Sequence, residues 1–507
     1  MIVTYDPFRR SRQRISYVDA VAGARKTRTE VERAVKRALN NGEPTMFVMP
    51  TLRLIAENIE FAYECGAYES LIRDITSGDD ALELVEHERV RSAIIEYLKD
   101  DISRGHLLFI THAAFWNITD WPDQARDYHL VFDEAPDVLL TRSPFYLRYN
   151  AFALTSWLRT RPADNDYDFV LPKEGKDADD PYKWLKLRAS KKAHERDQIF
   201  KMMGDIPLWL LQDAALFTDR KAWQAMIGEG PNTYNRGRVT ISGFRRPETF
   251  AQFRSATILS ALFQHTMAYH IWSQLGVKFT RARNGHQRTQ LGSRRLKIYW
   301  LFDQGWSKKT RNRSGGIENV LHLIKRSKVI DPNKSVCVLV NKDDGSEEDP
   351  ARVTKIFGNA VMLPHKSLGL NTWREETQLI YLPALNSATP DIIWIQKALK
   401  IDADTQRIAR AGQDAYQTMM RLSLREPTAT DDITIVVVDR DVAMWLKNWF
   451  EPQAQVEVNE IDSRGVISRK RQRGRKTLND EPMSVAERVR RHRERKANLK
   501  LVVDNDE

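Results

Sequence analysis

Two short stretches carry the residue types that phosphoryl chemistry requires. Ala20-Val21-Ala22-Gly23-Ala24-Arg25-Lys26-Thr27 reads as a phosphate-binding loop ending in a lysine and a hydroxyl. Leu130-Val131-Phe132-Asp133-Glu134-Ala135-Pro136 reads as a buried strand delivering two adjacent carboxylates to its C-terminal end. Nucleotide hydrolysis uses such a combination: backbone N–H groups and a lysine around the phosphates, a hydroxyl and an aspartate on Mg2+, and a carboxylate that activates water. On this reading Ala22, Gly23, Ala24, Arg25, Lys26 and Thr27 bind ATP, Thr27 and Asp133 hold Mg2+, and Glu134 is the general base. Lys26 is expected to have no partner other than phosphate. Arg25 stands where the pattern has glycine, so its Cβ is expected to weaken binding or reshape the loop. The bland readings are a plain loop before a helix and acids that complement a helix dipole. The apolar run before Asp133 argues for the carboxyl end of a strand, where α/β sheets bind ligands.

Such groups must be held by strands and helices. Apolar runs punctuate the first part of the chain at Met46–Met49, Leu107–Ile110, Leu130–Phe132 and Thr257–Leu259, with helical patterns at Arg28–Leu39 and Leu52–Cys65. A second series follows at Lys297–Phe302, Ser335–Val340, Gln378–Leu382 and Ile433–Val438. Alternating strands and helices predict βα units and an α/β fold with two parallel-sheet domains in tandem. The expected divisions are 1–280 for the first domain, 281–456 for the second and 457–507 for a basic tail, with a hinge near Thr280–Ser293. Within the first domain, about 144–238 breaks the rhythm and is expected to be an insertion, mostly helical after Tyr182.

The formal charge of +11 is unevenly spread, because Arg464–Lys500 alone holds 14 basic and 4 acidic residues. A basic tail on a near-neutral body implies a tethered contact to a polyanion, with solubilisation as the bland alternative. Within it, Ser484 and Glu487 form a capping box. The arginines that follow cover every face of the helix, so it has no apolar side to bury. Arg471, Arg473, Arg475, Arg488, Arg491 and Arg495 are the expected nucleic-acid contacts. Cys65 and Cys337, the only cysteines, form no metal or disulfide pattern and read as buried small hydrophobes. No apolar run reaches membrane-spanning length and no secretory signal opens the chain, so no membrane partner and a cytoplasmic setting are expected.

The order of motifs resembles that of superfamily 2 helicases of the DEAD/DEAH-like kind. Pro50-Thr51-Leu52-Arg53 is similar to that family's motif Ia and Thr111-His112 to its next strand-end motif. The resemblance therefore implies that Pro50, Thr51, Arg53, Thr111 and His112 contact the nucleic-acid backbone. Asp133-Glu134-Ala135-Pro136 resembles the acidic box, with Pro136 in place of its last acid or histidine. Ser260-Ala261 resembles motif III, which couples the nucleotide and nucleic-acid sites; Ser255-Ala256-Thr257 matches it literally but opens its strand. His365 to Asn371 resembles motif V, which would place Gly369 and Asn371 at the ATP site. Gln417 to Arg425 resembles motif VI, which implies that Gln417, Arg421 and Arg425 face the γ-phosphate. The spacing places the two arginines one helical turn apart.

The resemblance implies two RecA-type domains, ATP and Mg2+ as cofactors, and single- or double-stranded nucleic acid as partner. Its likeness to phage- and plasmid-encoded helicase-like proteins favours DNA and a role beside replication proteins. Two rival readings stay open: a nucleic-acid-binding scaffold with a weak ATPase, supported by Arg25 and Pro136, and a nucleotide switch or packaging-type motor.

Overall fold

Strand-forming apolar runs dictate the layout, and the two longest series become two parallel sheets. The computed structural model describes residues 8–463 apart from 22, 77–82, 100–104, 147–153, 164–165, 176–182, 184, 187–202, 229–237, 283–293, 304–305, 308–310, 312–315, 342–347, 365–371, 386–388 and 427. Ala22, Gly369, Asn371, the tail arginines and most of the expected hinge lie outside the described residues.

The first part begins with β1 (Arg14–Val18), β2 (Thr45–Met49), β3 (Ile72–Asp74), β4 (Leu107–Thr111) and β5 (His129–Asp133). An inserted segment then carries β6 (Leu139–Tyr146), β7 (Leu158–Pro162), β8 (Tyr167–Pro172), β9 (Ala215–Asp219) and β10 (Arg238–Phe244). The chain returns through β11 (Ser255–Leu259) and β12 (Lys278–Arg281). The first sheet has the order β12-β1-β11-β5-β2-β4-β3 and every neighbouring pair is parallel. Its central strands β2, β4 and β5 are buried on both faces, with Phe47, Phe109 and Phe132 all fully buried. Both faces need covering, and helices such as Lys26–Asn41 and Leu52–Glu64 return over the sheet to do it.

The second part holds β13 (Arg295–Phe302), β14 (Val336–Leu339), β15 (Ala360–Met362), β16 (Gln378–Tyr381), β17 (Ile433–Asp439) and β18 (Gln455–Glu460), ordered β15-β14-β16-β17-β13-β18 and again all parallel. The chain is therefore α/β with two tandem parallel-sheet units. Both cysteines are free, and Cys65 is half-buried where full burial was expected, while Cys337 is buried.

The described part of the insertion contains helices Ile206–Leu211 and Arg220–Ile227, but its frame is a five-stranded antiparallel sheet, β6-β10-β9-β8-β7. The strands escape sequence reading because charges and prolines interrupt them; β7 reads Leu-Arg-Thr-Arg-Pro. One face of this sheet meets the second domain. Phe217 lies 5.5 Å from the Trp394 ring, and Lys397 pairs with Asp166. Trp394 and Ile395 share one apolar core with Phe169, Phe217 and Phe244. The insertion thus touches both halves of the chain.

Candidate active site

Because all strands of the first sheet run the same way, their carboxyl ends share one edge. Across it from β1 to β4, the order β1-β11-β5-β2-β4 sets side by side the phosphate loop, Ser260, the Asp133-Glu134 pair, Pro50-Thr51 and Thr111-His112. Met49 and Thr111 are register partners, which brings the last two groups together.

The loop after β1 turns left-handed twice, at Gly23 (φ 87°) and at Arg25 (φ 55°). Arg25 holds this backbone although an L side chain resists it by about 1–2 kcal/mol, and its own side chain is exposed. The loop therefore keeps a glycine-like conformation despite the Cβ. Lys26 opens the following helix and is buried to 8 % exposure. Its ammonium donates to the Ala20 carbonyl (3.1 Å), so it does have a protein partner, and that bond closes the loop on itself. The Thr27 hydroxyl donates to Asp133 Oδ1 (2.8 Å), joining loop and acid pair.

Asp133 ends β5 and Glu134 bends away in a left-handed turn (φ 68°), its N–H donating to the Leu259 carbonyl (2.8 Å). Positive φ at a glutamate is strain that the neighbouring strands sustain. Burial and mutual repulsion raise the Asp133 carboxyl above the ordinary range, and burial raises Glu134, whereas Lys26 and Arg421 pull Glu134 the other way. His112 turns inward: its Nε2 lies 2.7 Å from the Asp133 carbonyl and its ring 4.4 Å from Phe132. Desolvation holds the imidazole neutral, down to about 4. Thr51 and Thr111 cap helices, accepting from Leu54 N–H and Ala114 N–H. Arg53 is exposed and pairs with Glu57 (2.8 Å).

The second domain brings arginines. The helix Gln413–Met419 ends before Arg421, and Arg425 lies in a 3-10 turn, Ser423–Arg425. The two are therefore not stacked on one helix as their spacing predicts; the break comes where Arg294 clamps Ser423 through its carbonyl (2.6 Å) and its hydroxyl (2.8 Å). Arg421 is 9 % exposed, its Nε donates to the Gln417 carbonyl (3.3 Å) and its Nη1 is buried without a hydrogen-bond partner. Burial pulls its guanidinium down to about 10, partly offset by the Asp414 and Glu134 carboxylates, which favour its charge. Arg425 lies against the phosphate loop, so close that a Cβ on Gly23 would meet its Nε at 3.2 Å.

A cavity of about 670 Å³ lies between the halves beside the acid pair, lined by Glu134, Pro136, Ser260, Asp391, Gln413 and Gln417 among others; the phosphate loop, Asp133, Arg421 and Arg425 are not part of its lining. Gln413, which no motif pointed to, donates across the boundary to the Leu262 carbonyl (2.7 Å). The groups on the strand edge, Lys26, Thr27 and Asp133, are of the kinds that suit a nucleotide with a hard divalent cation. Among the described residues no group of three acidic, histidine or cysteine side chains is gathered for a metal. Mg2+ needs no such cage, since one or two carboxylates, water and substrate phosphates suffice. The orphaned Arg421 Nη1 is likewise a buried donor that a phosphate oxygen would satisfy.

No family model and no curated protein matches the chain. Among solved structures it is similar to "XPD_Helicase", with 11% identity, a TM-score of 0.45 and coverage of 88% of this chain and 96% of that one. It is also similar to S. cerevisiae Dbp5 bound to RNA and ADP BeF3, at 8% identity, a TM-score of 0.32, and 89% and 86% coverage. A third likeness is the DUF1998 helicase MrfA bound to DNA and AMPPNP, at 11% identity, a TM-score of 0.31, and 88% and 50% coverage.

Proposed function

We propose that the chain is an ATP-dependent nucleic-acid translocase or helicase whose active site is completed by both parallel-sheet domains. The observation that carries this reading is the meeting of unlike groups at one cleft. Thr27, Lys26, Asp133 and Glu134 come from the first sheet's edge, and Arg421 and Arg425 come from the second domain.

ATP with Mg2+, when bound, supplies the phosphoanhydride to be cleaved and a cation to offset its charge; Thr27 and Asp133 are the residues to hold the metal. Glu134 takes the proton from the attacking water. Lys26 exchanges its bond to the Ala20 carbonyl for a phosphate oxygen. Arg421, buried and short of a partner, neutralises charge that develops as the phosphoryl group transfers. Because that arginine belongs to the other domain, it responds to cleft closure, and closure displaces the domains along a bound strand. In our reading the strand-end groups Pro50-Thr51, Arg53 and Thr111 face the nucleic-acid backbone, and the basic tail adds phosphate contacts. DNA is the strand taken here, from the sequence resemblance to phage and plasmid proteins.

The test is ATP hydrolysis by the full chain with and without single-stranded DNA or RNA, beside Glu134→Gln. The proposal expects hydrolysis stimulated by one of the strands, and a Glu134→Gln variant that still binds ATP and Mg2+ while turning over roughly 10²- to 10⁴-fold slower. Strand binding without any hydrolysis would support the scaffold reading instead.

A further inference from the structure

We propose that Gln413 is a positioning residue for this hydrolysis: by holding the Leu262 carbonyl it fixes the second domain's arginine segment against the first domain's phosphate loop. The inference rests on the proposed ATPase reading and concerns a residue outside every motif that suggested it.

Leu262 follows β11 in a left-handed conformation (φ 55°) and is 2 % exposed. An L residue stays there only when its surroundings hold both ends of the peptide. Its N–H donates to Asp19 Oδ1 (2.9 Å), and Asp19 lies between β1 and the phosphate loop. Its carbonyl accepts from the His265 N–H (2.9 Å) within the first domain and, on its second lone pair, from Gln413 Nε2 (2.7 Å) of the second. One residue of the first domain is thus tied through its N–H to the root of the loop and through its carbonyl to the second domain. Its side chain joins Val21 and Ala24 of the loop in the second domain's apolar core.

The helix that carries Gln413 is shaped for this reach. A π-helical turn, Ile408–Gly412, immediately precedes it. A π turn inserts one residue into the helical phase and so re-aims the side chains that follow. Gly412 sits under Trp445, where a Cβ would lie 3.1 Å from the indole, so the turn is packed closely. Gln413 then starts the short helix that ends at Met419, two residues before Arg421, whose guanidinium feels the Glu134 charge. A donor lost at Gln413 leaves the arginine in place along the chain but frees its approach to the acid.

Steady-state ATP hydrolysis by the full chain tests this with Gln413→Leu, Asp19→Ala and the double variant. Gln413→Leu should lower kcat about tenfold and leave KM for ATP within about twofold, the pattern of a group that acts on the transition state. Asp19→Ala should act through the same residue, Leu262, so the double variant should fall about as far as either single one and not by the product. Gln413→Glu, equal in size and without the donor, carries the test if the leucine variant does not fold. An unchanged kcat, a proportional change in kcat and KM, or a multiplicative double variant would overturn the inference while leaving the ATPase reading intact. A parent that hydrolyses no ATP would overturn both.

Discussion

The two parallel sheets bring opposite resources to the cleft. The first edge is a wired assembly: Thr27 to Asp133, Glu134 N–H to Leu259 and His112 to the Asp133 carbonyl join neighbouring strands or loops, and Lys26 to Ala20 closes the loop itself. The second edge offers cations on a short, irregular segment after a helix, held mainly by Arg294 and Ser423. In the proposed ATPase the first half would supply the loop, Lys26 and the acids and the second half the arginines, so hydrolysis would depend on their approach.

Removing Lys26 should have the largest effect on the first edge. Lys26→Ala is expected to cut hydrolysis roughly 10³-fold or more, since a preorganised cation at the phosphates is lost; ATP binding followed by fluorescence should fall with it. Retained binding and turnover would break the division of labour at its base. His112→Ala is smaller and tests the wiring. Leaving the Asp133 carbonyl without its ring partner should cost about 1–3 kcal/mol in thermal or denaturant unfolding, with nucleic-acid affinity little changed. A fall in strand affinity at unchanged stability would restore His112 to the nucleic-acid surface that its motif suggests.

The smallest effect is expected at Arg25. Because its backbone already holds the glycine conformation, Arg25→Gly should stabilise the fold by up to about 1–2 kcal/mol. If the exposed guanidinium contacts phosphate, ATP affinity should drop severalfold at the same time. Tighter ATP binding would show that the arginine only obstructs the loop.

What could be read from the sequence follows from how each feature is encoded. Strands buried on both faces are continuous apolar runs, so β2, β4, β5 and β17 stand out, whereas β3, β12 and β15 are short and half-exposed and do not. Strand-end motifs are legible because the acids, hydroxyls and the loop glycine sit next to those runs. The antiparallel insertion was hidden by charged residues on its outer strand. The break between Arg421 and Arg425 was hidden because no glycine or proline marks the helix end at Met419, and the segment beyond it is clamped at Ser423 by Arg294, far away in sequence. Gln413 carries no local signal at all, since only a π turn and the Leu262 peptide give it a role.

The dependence of the first domain's chemistry on the second is tested most directly by Arg421→Ala, measured for kcat and for ATP affinity in the same preparation. The account predicts a kcat lower by on the order of 10³-fold, with ATP dissociation changed less than about tenfold, because the finger contact strengthens in the transition state. An equal loss in both would make Arg421 a structural residue, and an unchanged kcat would contradict a site shared between the two sheets.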